Sequence, residues 1–356
     1  MIDRFVITGG AGFIGSHLAE RLLREGARVT IFDNFTRPGS ELNAAFLSDR
    51  FAGQLEIVKG DVRDFAAVQM AAEDAGAIVH LAAQVAVTTS VTKPRHDFEV
   101  NALGTFNVLE AARLSVNRPA VMYSSTNKVY GNMADLTVVE RSGRYGYADC
   151  PSGIDEDRPL HFCSPYGCSK GTGDQYVLDY GHVYGMRTAV FRQSCIYGPR
   201  QFGVEDQGWV AWFAIRALQQ CPVTIFGDGK QVRDVLFIGD LVEAYVKALA
   251  NIDTIAGQAF NIGGGPANTL SLLELVALLE RRFQRRFPHS FDEWRTGDQR
   301  VFISNVSKAE KSFGWIPRTS VADGVNKMVD WLIENEALLT GRRVEEPLAK
   351  DGSLCK

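Results

Sequence analysis

Through the first half of the chain, short apolar runs alternate with stretches whose apolar residues recur every third or fourth position. The runs predict strands over residues 4–8, 28–33, 55–58, 78–82, 120–124 and 187–192. The recurring pattern predicts helices over 14–25 and over 97–114, where Phe98, Ala102, Phe106, Leu109 and Ala112 fall near helical spacing. Such alternation specifies a parallel sheet with helices on both faces, an α/β fold of the Rossmann-type, doubly wound kind.

The pattern changes after Tyr197-Gly-Pro-Arg200. A helix over 207–219, a strand over 223–226 and a turn at 227–229 are expected, then helices near 272–285, 307–313 and 321–334. This predicts a smaller α/β lobe interleaved with the sheet domain. Residues 1–198 plus about 235–262 form the dinucleotide-binding domain in this reading. Residues about 199–234 plus 263–340 form the substrate lobe, and the charged, aperiodic segment 341–356 is expected to be a disordered tail.

Composition narrows the function classes. The chain has 356 residues, 46% of them hydrophobic, with a net charge of −4, so no basic excess points to nucleic acid or an anionic membrane surface. No apolar run is long enough to span a bilayer, and the first residues lead straight into a predicted strand, leaving no room for a signal peptide. The six cysteines are scattered without a Cys-x-x-Cys pair, and His161, Cys163 and Cys168 fit no zinc spacing. A reduced, cytoplasmic protein without a metal site is expected.

Thr8-Gly-Gly-Ala-Gly-Phe-Ile-Gly15 lies between the first predicted strand and the first helix. Gly9 permits a tight turn, Gly12 admits a diphosphate against the backbone, and Gly15 lets the helix pack close to the strand. Free N–H groups and the dipole at the helix start favour phosphate. Asp33, ending the second strand, suits the adenosine ribose hydroxyls and repels a 2′-phosphate, which selects NAD over NADP; the nearby Arg37 works the other way. Asp61 ends the third strand where an adenine amino group can be read, and Leu81-Ala-Ala-Gln84 offers small residues for close passage of the cofactor.

Tyr166 and Lys170 are one helical turn apart. The lysine charge stabilises a phenolate that is otherwise a poor base at neutral pH. Thr126, at the end of the fifth strand, supplies a hydroxyl for the reacting oxygen. Together these residues describe an acid/base device acting on an alcohol beside a nicotinamide.

The segments TGGAGFIG (8–15), FDN (32–34), GDV (60–62), HLAAQ (80–84), SSTNKVYG (124–131), SPYGCSK (164–170) and RDVLFIGD (233–240) resemble the extended short-chain dehydrogenase/reductases, the NAD-dependent epimerase/dehydratase family. The resemblance implies tightly held NAD contacted by Gly9, Gly12, Phe13, Ile14, Gly15, Asp33, Asn34, Asp61, Val62, Leu81, Ala82, Ala83, Gln84, Asn101, Ser124, Tyr166 and Lys170. It implies catalysis by Thr126, Tyr166 and Lys170, and a nucleotide-sugar substrate held by Thr126, Asn127, Arg200, Gln207, Arg233 and Arg300. Arg233 and Arg300 match positions that clamp the diphosphate in the family. Dehydratases of the family carry Asp-Glu after the threonine, where this chain has Asn127-Lys128, so dehydration is not expected.

SSTNKVYG, SPYGCSKG, GPRQFG and GDGKQVRDVL most resemble the family's branch that inverts C2 of CDP-linked hexoses by transient oxidation. C4 epimerisation of a UDP-sugar uses the same apparatus and stays open. So does a catalytically silent NAD-binding regulator, against which the intact Thr126, Tyr166 and Lys170 speak. Cys163 and Cys168 flank Tyr166, and in the family a cysteine can act as acid or base beside a ketone. By analogy with family dimers formed through the helices at 97–114 and 169–184, a homodimer or homotetramer is expected.

Overall fold

In the computed structural model, residues 2–295 and 298–340 are described; the tail expected at 341–356 lies outside them. Five strands come first: β1 (Arg4–Thr8), β2 (Arg28–Asp33), β3 (Leu55–Lys59), β4 (Ala77–His80) and β5 (Ala120–Thr126). A hairpin of β6 (Val138–Arg141) and β7 (Arg144–Tyr147) precedes β8 (Thr188–Gln193) and the short β9 (Cys195–Tyr197). The remaining strands are β10 (Val223–Phe226), β11 (Val232–Phe237), β12 (Gln258–Ile262), β13 (Thr269–Ser271), β14 (His289–Asp292) and β15 (Val301–Phe302).

Seven strands form one parallel sheet in the order β12-β8-β5-β4-β1-β2-β3. The chain reverses its winding direction between β1 and β4, which opens a crevice at their carboxyl ends. Because helices cover both faces, β4 and β8 are buried at every position. Alternate residues feed two cores: Ile7, Val79, Met122 and Phe191 pack on one face, Val6, Ile78, Val121 and Tyr123 on the other.

Immediately after β8 the chain leaves the main sheet at Ser194, and β9 pairs with β11, which also pairs with β13 and β15. A second pair, β10 with β14, lies in the same lobe. Helices Trp209–Leu218, Leu272–Phe283 and Val321–Glu334 enclose its core of Tyr197, Phe213, Leu275, Leu279 and Met328. A reciprocal cap between Ser271 and Glu274 fixes the start of the second of these helices.

Several expectations shift. The single helix expected over 97–114 is a helix at Pro94–Phe98, a π-turn at Glu99–Leu103 and a helix at Gly104–Leu114. The strand expected to 82 stops at His80, because Ala82 must leave the sheet to pass beside Gly9. The helix expected from 207 starts at Trp209, since Gly208 is in the left-handed region at φ +80. The β6–β7 hairpin and the helix Ser40–Phe51 had no counterpart in the sequence pattern.

Candidate active site

The β1 loop is shaped by what its glycines exclude. Gly9 has φ +69, and a Cβ there would meet the Ala82 nitrogen at 2.7 Å. A Cβ on Gly15 would meet Gly9 O at 2.4 Å, so the helix Phe13–Arg24 can approach the loop only with glycine at that position. Gly12 precedes that helix without a side-chain cap, and no acidic residue occupies its first turn. The helix start therefore keeps free N–H donors and positive dipole charge facing the cavity, which fits the diphosphate of a dinucleotide. Asp33 accepts hydrogen bonds from Ala11 N at 3.0 Å and Phe35 N at 2.8 Å, which hold its carboxylate beneath the loop. Burial pushes its pKa up, against the pull of these amides.

A cavity of about 390 Å³ runs from this loop to the ends of β5 and β8. It is lined by Gly9, Gly12, Phe13, Ile14, Gly15, Leu81, Ala83, Ser124, Tyr166 and Lys170 from the expected cofactor set, and by Thr126, Asn127, Arg200 and Gln207 from the expected substrate set. Tyr166 and Thr126 are hydrogen-bonded through their side chains, and burial lifts the phenol to about 12. Lys170, four residues further along the helix Ser164–Tyr184, donates to Ser124 O at 2.5 Å and lies 4.2 Å from the Tyr123 ring centroid. Burial lowers its pKa to about 7, opposed by Asp174 and Asp97. Asp174 is itself gripped by both prongs of Arg192 at 3.0 Å and by Ser125 at 2.7 Å, so the helix Ser164–Tyr184 is tied to β5 and β8.

Other expected cofactor residues support the wall from behind. Asn34 Nδ2 donates to Asp61 at 3.1 Å, and Asp61 takes both prongs of Arg63 at 2.9 Å, which holds its carboxyl well below the usual range. Asn101 accepts from Gln84 N at 2.9 Å and donates to Gln84 O at 3.0 Å. Asp33, Asn34, Asp61, Val62, Ala82, Gln84 and Asn101 are absent from the cavity lining. His80 is a satisfied core residue between Thr8 and Thr105, and His17 is hydrogen-bonded to Pro199 O at 2.8 Å.

A second cavity of about 270 Å³ continues from the first into the smaller lobe. Arg233, Arg295, Asp298, Gln207, Trp209 and Lys128 are in its wall. Arg233 pairs with Asp298 at 2.6 Å, while Arg295 stacks 3.9 Å from the Phe226 ring centroid and faces Asp206 at 3.5 Å. Arg300 lines neither cavity; it is exposed and stands over Tyr145 and Trp294. The arginine that the fold brings beside Arg233 is Arg295, which follows the end of β14, whereas Arg300 directly precedes β15 on the other side of the loop. Among the cavity residues outside the expected set are Arg295, Lys128 and Cys195; the first is placed by the pairing of β14 with β10, which leaves no local signal. Cys163 and Cys168 do not line the cavities, and Cys163 Sγ sits 3.6 Å from His161 Nδ1. The cavity thiol is Cys195, kept protonated by burial.

The chain matches the model of the NAD dependent epimerase/dehydratase family over residues 5–263. It is 46% identical over 337 residues to the CDP-paratose 2-epimerase of Salmonella typhi, covering 92% of this chain and 98% of that protein. It is 34% identical to the UDP-glucose 4-epimerase of Mycolicibacterium smegmatis, with 92% and 98% covered. Among solved structures, the UDP-glucuronic acid 4-epimerase of Bacillus cereus, in complex with UDP-glucuronic acid and NAD, superposes with a TM-score of 0.80 at 28% identity, covering 93% of this chain and 99% of that one. The dTDP-glucose 4,6-dehydratase DesIV of Streptomyces venezuelae, with NAD bound, gives 0.81 at 28% identity, covering 94% and 98%. With its dinucleotide cradle, its parallel sheet and a match spanning most of its length, the chain belongs to the NAD-dependent epimerase/dehydratase family.

Proposed function

We propose that this chain is a nucleotide-sugar epimerase that inverts C2 of a CDP-linked hexose, of the CDP-paratose type, by transient oxidation. The observation that carries this reading is the grouping of Thr126, Tyr166 and Lys170 in one cavity, in a chain 46% identical to a CDP-paratose 2-epimerase. The chemistry that bound NAD supplies is reversible removal of two electrons and a hydrogen from the sugar carbon. Tyr166 takes the proton from the hydroxyl on that carbon and returns it when the ketone is reduced from the opposite face. Its high pKa requires a neighbouring positive charge in the reacting complex, which Lys170 provides in its protonated form. Thr126 holds the reacting oxygen.

Arg233 and Arg295 would anchor the diphosphate in the second cavity while the ketone turns in the first. Asn127-Lys128, where family dehydratases carry Asp-Glu, favours epimerisation over dehydration. The division into a dinucleotide domain (1–198 plus about 235–262) and a substrate lobe (about 199–234 plus 263–340) follows the same division of labour. We assign the protein to the cytoplasm, in keeping with the free thiols of Cys150, Cys163, Cys168 and Cys195. Among the described residues no helix is long and apolar enough to cross a membrane.

The test is to denature the purified protein, identify the released dinucleotide, and follow CDP-linked hexoses and UDP-glucose by NMR in deuterated water. Inversion at C2 of a CDP-sugar without deuterium uptake is expected, and Tyr166→Phe is expected to retain NAD while losing about 10²–10⁴-fold in rate. Inversion at C4 of the UDP-sugar would replace the substrate assignment. Deuterium at the inverted carbon would replace oxidation by deprotonation and direct attention to Cys195.

A further inference from the structure

We propose that Lys128 binds the sugar-proximal phosphate of the nucleotide-sugar at the seam between the two cavities. The inference rests on the nucleotide-sugar reading above and adds to it a phosphate-binding residue on the same turn as Thr126.

Three observations lead here. Lys128 is the one cation, among the described residues, that lines both cavities. A nucleotide-sugar with its hexose at Thr126 and Tyr166 and its nucleotide in the second cavity must pass its diphosphate across that seam.

Second, the other cations nearby already have a partner that each would share with a phosphate. Arg233 pairs with Asp298 at 2.6 Å, Arg295 faces Asp206 at 3.5 Å, and Lys170 donates to Ser124 O at 2.5 Å. Lys128 Nζ donates at 3.3 Å to a neutral acceptor, Gln299 Oε1, and Gln299 is anchored in turn on Gly131 O. An ammonium has three donors, so the others remain for a ligand. The groups that face it are Arg233 on β11, Asp298 ahead of β15, Cys195 on β9 and Cys163 ahead of the Tyr166 helix. Burial, reinforced by the Arg233 charge, lowers its pKa to about 8, the behaviour of a buried cation without a full counter-charge.

Third, Lys128 is rigidly coupled to the redox end. Its backbone N–H donates at 3.2 Å to Thr126 Oγ1, which caps the 3₁₀ turn Asn127–Tyr130. The same turn thus sets both the hydroxyl that meets the reacting oxygen and the ammonium that meets the phosphate. In a glycosyl diphosphate the C2 hydroxyl is on the carbon next to the phosphorylated one, whereas the C4 hydroxyl lies across the ring. Anchors two residues apart on one turn suit a hydroxyl on the carbon next to the phosphorylated one.

A phosphate brought against Lys128 restores its basicity, so binding at pH 8.5 draws in a proton. The experiment is calorimetric titration of the NAD-loaded enzyme with CDP and with UDP at pH 8.5, in two buffers of different ionisation enthalpy. Wild type is expected to take up a measurable fraction of a proton. Lys128→Met and Lys128→Gln are expected to bind about tenfold or more weaker with no uptake, and Lys128→Arg to bind within a few-fold of wild type, also without uptake. Retained NAD content in each variant separates loss of contact from loss of fold, and the Gln and Arg variants decide the matter should Met not fold. Undiminished affinity and unchanged proton uptake in Lys128→Gln would overturn the proposal, as would a loss of affinity that Arg does not restore. A wild-type preference for UDP would overturn the CDP assignment alone, with the Lys128 comparison then made on UDP. Binding of neither nucleotide would overturn both.

Discussion

Asn101 Nδ2 donates to Ser169 Oγ across 3.1 Å, and Ser169 donates in turn to Asp97 at 2.5 Å, so the π-turn is fastened to the helix that carries Tyr166 and Lys170. Asn101 also donates to Asp97 and exchanges two bonds with the Gln84 backbone. The extra residue of the π-turn accompanies this cross-linking, as such turns often do near functional sites. Asn101→Leu strips partners from a buried carboxylate and from the Gln84 amide. Urea unfolding should register a loss of about 1–3 kcal/mol. Asn101→Asp should lose more, because it sets a second buried carboxylate beside Asp97. Wild-type stability in both variants would mean that the cluster holds nothing together.

Arg295 and Arg300 offer a direct contrast. Arg295 lines the second cavity beside Arg233, and Arg300 points away over Tyr145. Steady-state kinetics on the CDP-sugar should give a KM raised about tenfold or more for Arg295→Ala, since a guanidinium–phosphate contact is charge-assisted. Arg300→Ala should stay within about twofold. The reverse ranking would return the diphosphate clamp to Arg300.

The difference between those two arginines marks what the sequence can convey. Gly9, Gly12, Gly15, Asp33, Tyr166 and Lys170 are legible because each role depends on a neighbour within a turn or at a strand end. Arg295 is placed by β14 pairing with the distant β10, and no periodicity encodes that pairing. The π-turn is hidden for a related reason: residues 97–114 keep a helical apolar rhythm, and the extra residue is accommodated by bonds from Asn101 to Gln84 and Ser169. Asp61 and Asn101 fall where the family pattern puts cofactor contacts, yet their side chains are committed to Arg63 and to Gln84.

Phe98, Leu103, Phe106, Leu114, Tyr176, Val183 and Tyr184 leave large apolar side chains exposed along the two helical segments 97–114 and 164–184. Phe106 and Tyr176 meet edge-on at 5.8 Å, so the two segments present one continuous face. A face of this kind on both copies is self-complementary about a two-fold axis. Light scattering should give the mass of a homodimer, or of a homotetramer built from it. Phe106→Glu combined with Tyr176→Glu should yield a monomer. A monomeric wild type, or a double variant that stays dimeric, would exclude this face.

His17 and His80 are both held neutral, with pKa values lowered from 6.5 to about 3. Burial is the main cause in each, joined by the Arg200 charge at His17 and the Lys170 charge at His80. Between pH 6.5 and 3 the unfolded chain binds a proton at each site that the folded chain refuses, so stability falls as the solution is acidified through that window. The loss is about 1.4 kcal/mol per pH unit per histidine until the folded pKa is reached. His17→Gln keeps a donor for Pro199 O and removes one titrating group. Urea unfolding at pH 7 and pH 5 should therefore show the wild type losing about 2 kcal/mol more than His17→Gln over that interval. Carboxylates titrating in the same range affect both proteins alike and cancel in the comparison. Equal losses would mean that His17 accepts its proton in the folded state, with the Arg200–Glu20 pair opening to admit the charge.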